Sequence, residues 1–156
     1  ADNQKYIFGL IGFIAIVVLG YFGYYKYIKE PKEVNSMNSM FVAQRLFEQA
    51  LDENNDSIYR LSINGTGKKM GFLEIIDKYS GTNASNLSNY YVGMSYLKLK
   101  DYKNSIKYLS QFNSDDQILS SLAKGSIGDC FIQLDQLEDA LDYYEKAIYS
   151  RKRDFR

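Results

Sequence analysis

The residues able to carry chemistry are few, and their spacing limits what they can do. The chain has one cysteine, Cys130, and no histidine or tryptophan. A histidine-based triad, a His/Cys zinc site, a dithiol redox pair and an intramolecular disulfide are excluded by that inventory. Cys130 falls in a helical pattern, where a small buried thiol is expected and reactivity would need an electropositive pocket. Asp115 and Asp116 stand just before an apolar-periodic run, as capping residues do. No histidine and no regular carboxylate spacing accompany them, so no metal site is expected. The stretch Ser62-Ile-Asn-Gly-Thr-Gly67-Lys68-Lys69 has the outline of a phosphate-binding loop, but Ser62 occupies the first glycine position and Lys69 the magnesium-binding hydroxyl position. An ordinary turn is the expected structure there. Asn-x-Ser/Thr triplets at Asn55, Asn64, Asn83 and Asn86 follow from the abundance of Asn and Ser. No catalytic, cofactor-binding or metal-ligating residue is assigned.

The 156 residues include 19 Lys+Arg against 19 Asp+Glu. Nothing in that balance would neutralise a phosphate backbone, and nucleic acid is not an expected partner. Hydrophobic residues make up 46% of the chain but are unevenly placed, because the 20 residues from Tyr6 to Tyr25 contain no Asp, Glu, Lys, Arg, Asn or Gln. As a helix that stretch spans about 30 Å, the thickness of a bilayer's hydrocarbon core. Its apolar residues Ile7, Phe8, Leu10, Ile11, Phe13, Ile14, Ile16, Val17, Val18 and Leu19 fill every face, and tyrosines stand at both ends, as in aromatic belts. The expectation is a membrane anchor over residues 1–30, spanning 6–25, with the lipid bilayer as partner. Lys26, Lys29 and Lys32 beyond it, against Lys5 before it, favour a cytoplasmic carboxyl end, a count that a Lys-rich segment upstream of Ala1 would reverse. The residue before a proline is pushed out of the α region, so a helix break is expected at Glu30-Pro31.

Two later segments align on their glycines at an offset of 35 residues: Asn89-Tyr-Tyr-Val-Gly93-Met-Ser-Tyr96 with Lys124-Gly-Ser-Ile-Gly128-Asp-Cys-Phe131. The match continues from Leu99-Lys-Asp-Tyr102 through Ser105 to Leu109, against Leu134-Asp-Gln-Leu137 through Ala140 to Tyr144. This pattern resembles the tetratricopeptide repeat, a two-helix unit with an apolar-Gly pair, an aromatic three residues later, and a small residue on the second helix. Asn89 and Lys124 replace its leading Trp, and Gln117 and Lys152 its terminal Pro. The resemblance implies an all-α fold: a transmembrane helix, then a repeat α-solenoid of about three helix pairs over residues 31–156. Repeats are expected at 86–118 and 121–153. A degenerate unit is expected at 34–80, with helices near Val34–Leu51 and Lys68–Tyr79 and a long loop from Asn54 to Gly67, since Asn54-Asn55-Asp56 and Asn64-Gly65-Thr66-Gly67 are turn formers.

Beside the core stripe of Val92, Gly93 and Tyr96, the first full repeat carries a second apolar stripe, Leu87, Tyr90, Met94 and Leu97, at helical spacing. In the repeat family this face lines a surface that grips partners, which implies a partner groove continued by Leu122, Asp129, Ile132 and Gln133. Packing by a neighbouring helix, such as one starting at Pro31, is the alternative. The acidic residues of the last helix, with Lys146 and Arg151-Lys152-Arg153 after them, are expected on a solvated face and suit the helix dipole.

Anchor plus repeats, with the run Gly71-Phe-Leu-Glu-Ile-Ile-Asp-Lys-Tyr79 and the segment Asn86–Leu99, resembles the YfgM-type ancillary subunits of the bacterial Sec translocon. That resemblance implies no enzymatic activity and no cofactor. It also implies an inner-membrane location with the repeats in the periplasm, and as partners the translocon, a PpiD-like membrane-bound chaperone and secreted polypeptides. A scaffold in another envelope assembly (outer-membrane biogenesis, secretion or motility) and a tethered enzyme using the Asn54–Gly67 loop are the alternatives.

Overall fold

The computed structural model describes residues 2–152; Ala1, residues 153–156 and the side chains of residues 2–5, 7, 151 and 152 lie outside the described residues. Among the described residues there are α-helices, one π-helical turn, and a lone antiparallel bridge between Gly65 and Met70. The fold is all-α, with a long apolar helix first and a repeat solenoid after it. The chain divides into two units, Ala1–Asn35 and Ser36–Arg156.

In the first unit, α1 covers Asp2–Tyr24. Its 23 residues rise about 35 Å. The helix is long and apolar enough to cross a membrane. Its large apolar side chains from Phe8 to Leu19 find no protein partner: even the least exposed, Val18, shows 46% of its surface. The break expected at Pro31 does not occur. Tyr25–Lys29 instead forms a π-helical turn, in which the Glu30 N–H reaches the Tyr25 carbonyl, and α2 follows as Glu30–Glu53. Proline lacks an N–H, and its ring crowds the carbonyl four residues earlier. A wider turn relieves that crowding without ending the helix.

In the second unit, α2 buries Met40, Ala43, Phe47 and Ala50, whose spacings of three and four place them on one face. The expected Asn54–Gly67 loop contains a helix, α3 (Asp56–Asn64). Asn54, in left-handed conformation (φ 48°), stops α2, and the Asn55 side chain accepts from the Ser57 N–H to start α3. The polar run is thus a helix stop and a helix cap, and α3 is held by Tyr59 and Ile63, both buried. α4 (Phe72–Lys78) begins later than Lys68 because Gly65 bridges Met70 and the Gly71 backbone lies against Ile63–Gly65, where a Cβ would collide. Phe47, Tyr59 and Phe72 gather around Tyr91, whose ring stacks on Phe72 at 4.9 Å and meets Phe47 edge-on at 5.0 Å.

The rest is two helix pairs: α5 (Asn83–Lys98) with α6 (Tyr102–Leu109), and α7 (Gln117–Gln133) with α8 (Leu137–Lys152). Thr82, Asp101 and Asp116 cap α5, α6 and α7, each accepting from backbone N–H groups of the first turn.

Candidate partner-binding site

The site is built by repetition. In each pair the first helix turns into the second through a non-glycine residue in left-handed conformation, Lys100 (φ 60°) and Asp135 (φ 58°), 35 positions apart. The next residue closes each turn with a bond back across it: Asp101 N–H to the Tyr96 carbonyl and Gln136 N–H to the Phe131 carbonyl, both 2.9 Å. Gly93 lets α6 approach until a Cβ would overlap Leu109, and Gly128 does the same for the Tyr144 ring on α8. Ser105 and Ala140 are buried opposite them, and the Ser105 hydroxyl donates to the Gly93 carbonyl at 2.8 Å. Tyr96 stacks with Tyr108 at 5.8 Å, and Phe131 meets Tyr143 at 5.4 Å. The repeat-defining residues therefore fill the space between paired helices.

The structure divides the eight expected groove residues. Tyr90 is 9% exposed, in one buried cluster with Leu109 of α6 and Ala123 and Ile127 of α7, its ring 5.2 Å from Phe112. Leu87 and Met94 pack against both this cluster and the one containing Met40 and Phe47 of α2. Tyr90 is thus buried against α6 and α7, and Leu87 and Met94 are half-buried between the two clusters, as packing by neighbouring helices would leave them. Leu97 is half-buried at the end of the stripe. Leu122, Asp129, Ile132 and Gln133 are exposed on α7, Gln133 accepting from the Tyr102 hydroxyl at 3.3 Å.

An open groove does exist, one repeat further along. It has a volume of about 510 Å³ and is lined on α7 by Ile118, Ser121, Leu122, Gly125 and Asp129, with Ala147 from α8. Ile118 is 77% exposed and Leu122 48%. A Cβ on Gly125 would meet nothing within 4 Å. Asp129 accepts from the Tyr144 hydroxyl at 2.7 Å. Burial first, then that hydrogen bond and the carboxylate's charge, push the Tyr144 phenol up to about 12. Leu122 and Asp129 were legible in the sequence. Ile118, Gly125 and Ala147 were missed, though shifting the buried stripe by 35 residues points to Gly125 directly.

The remaining chemistry-bearing residues have structural positions. Cys130 is fully buried, and its thiol donates to the Ser105 hydroxyl at 3.3 Å. Burial pushes this thiol up, against the smaller opposing effect of the Ser105 hydrogen bond. Asp116 caps α7. Ser62 and Ile63, the start of the loop-like stretch, are buried in α3. Asn86 links α5 to the turn before α7, donating to the Asn113 carbonyl and accepting from its N–H.

Residues 88–112 and 123–154 match the tetratricopeptide repeat family. No curated protein and no solved structure matches the chain. The two matched segments fall on the two helix pairs, the second of which carries the groove. These segments are thus tetratricopeptide-type repeats, which indicate a protein-interaction module.

Proposed function

We propose that this chain is a membrane-tethered, non-catalytic interaction subunit: α1 spans the bilayer and the repeat unit binds protein partners at the membrane surface. The observation that supports this reading most is the long stretch of uncovered apolar surface on α1. The finer assignment, drawn from the resemblance to YfgM-type subunits, is an accessory of the Sec translocon in the bacterial inner membrane. Its repeats would face the periplasm beside a PpiD-like chaperone and handle secreted chains.

Photo-crosslinkers at Ile14 and Leu122 in native membranes test it. Ile14 should capture a transmembrane helix of a channel or chaperone, and Leu122 a protein domain or an emerging polypeptide. Protease added outside spheroplasts should cleave the repeat unit. Capture of lipid alone at Ile14, with a protected repeat unit, would remove the translocon assignment. Lys26, Lys29 and Lys32 specifically favour a second reading, a scaffold whose repeats lie in the cytoplasm, and protease protection is its expected result.

A further inference from the structure

The groove on α7 and α8 is the counterpart, one repeat on, of the seat that α7 fills on the first pair. In the first pair, Leu87, Tyr90, Tyr91, Met94 and Phe112 pack around Ala123 and Ile127 of α7. Moving those five positions by 35 residues gives Leu122, Gly125, Ser126, Asp129 and Ala147, and all five line the groove. What the solenoid places on such a seat is the face of a helix.

The two seats differ in size and charge, and the differences describe the occupant. Tyr90, Tyr91 and Phe112 give the first seat bulk, and the helix on it presents small or medium side chains, Ala123 and Ile127. Gly125, Ser126 and Ala147 hollow out the second, so its occupant must supply the bulk to reach interior packing density. Met94 is replaced by Asp129, the only charged residue of the lining among the described residues, which favours a basic group opposite. The exposed apolar stripe on α8 of a second copy offers a poor match: Leu137, Leu141 and Ile148 are flanked by Glu138, Asp139, Asp142 and Glu145, while Lys146 is already paired with Asp142.

We propose that this groove takes one amphipathic helix of a partner protein, with large apolar residues at three- and four-residue spacing and a Lys or Arg placed against Asp129. The proposal rests on the interaction-subunit reading and specifies its partner.

The test uses the full chain in lipid nanodiscs and a fluorescent helical peptide as long as α7, an Ala-rich host with Leu, Phe and Leu on one stripe and Arg beside them. Anisotropy should show binding, weakened roughly tenfold when Glu replaces the Arg. Gly125→Phe, whose Cβ would meet nothing within 4 Å and whose ring would occupy the groove, should abolish binding while the melting temperature holds. Asp129→Arg should reverse the preference between the Arg and Glu peptides. Equal binding of both peptides, or retained binding by Gly125→Phe, would overturn the proposal. So would self-association that Gly125→Phe abolishes, which would make a second copy the occupant. If no peptide binds while the crosslinker at Leu122 still captures a protein, the helix assignment falls and the interaction-subunit reading stands.

Discussion

Three glycines on two equivalent helices have three different neighbourhoods, and each neighbourhood fixes the sign of a substitution. At Gly93 a Cβ would come within 2.5 Å of Leu109 Cγ and 3.0 Å of the Leu109 backbone nitrogen, so Gly93→Ala must move a helix and should cost about 1–3 kcal/mol in urea unfolding. At Gly128 the obstacle is only the Tyr144 ring; Gly128→Ala should cost less, at the expense of the bond to Asp129. At Gly125 space is open, and Gly125→Ala should stabilise by up to about 1 kcal/mol through helix propensity. Equal effects at all three positions would contradict this ordering. Tyr144 carries part of the alkaline pH dependence, beside Tyr59, Tyr90 and Tyr96, whose phenols burial also pushes up. The folded chain holds the Tyr144 phenolic proton more tightly than the unfolded chain does. That contribution is therefore complete below pH 10 and disappears as pH rises through about 12. Tyr144→Phe should flatten stability over that window, and an unchanged slope would count against the assignment. Cys130 should resist alkylation in the native chain at mildly alkaline pH and react once unfolded, since burial keeps its thiol protonated.

At the scale of elements, the left-handed residues that end α5 and α7 are the most economical targets. Lys100 and Asp135 hold a conformation that suits glycine, so Lys100→Gly and Asp135→Gly should each stabilise by about 1 kcal/mol, read as a rise in denaturation midpoint. Loss of stability at either would show that the native side chain has a role there. These turns also explain what was readable in advance. A repeat is visible because two glycines, two inter-helix aromatics and two small residues recur at one offset. That offset located all four helices from α5 to α8. α3 was unreadable because Asn and Asp signal a loop and a helix cap with the same letters, and only the burial of Tyr59 and Ile63 separates the two. The stripe of Leu87, Tyr90 and Met94 was ambiguous for a related reason. An apolar stripe beside the core stripe looks identical whether it faces solvent or the next helix, and the fold shows Tyr90 buried against α6 and α7 with Leu87 and Met94 half-buried beside it.

At the scale of the whole molecule, α1 is uncovered along its apolar length, whereas the repeat unit buries an apolar core and exposes separate stripes such as Leu137, Leu141 and Ile148. Alkaline carbonate should therefore leave the intact chain in the membrane fraction. A Val17→Lys substitution, which adds a charge near mid-span at a cost of roughly 3 kcal/mol, should weaken that retention. Release of the unsubstituted chain into the soluble fraction would contradict a spanning α1. With Lys+Arg and Asp+Glu equal in number, added salt should alter retention little.

The π-helical turn at Tyr25–Lys29 acts as a depth gauge. Pro31 supplies no N–H, so one carbonyl of that turn goes without an intrahelical donor and requires a water molecule or a lipid headgroup. Such a carbonyl is not tolerated among acyl chains, which sets a lower limit on how close to the bilayer's midplane this turn can ride. In a bilayer thick enough to reach it, a spanning α1 has to lengthen its projection by standing more upright. Thicker membranes should therefore decrease the tilt of α1 while the turn stays at the waterline, a coupling that polarised infrared spectroscopy in lipids of graded chain length would reveal.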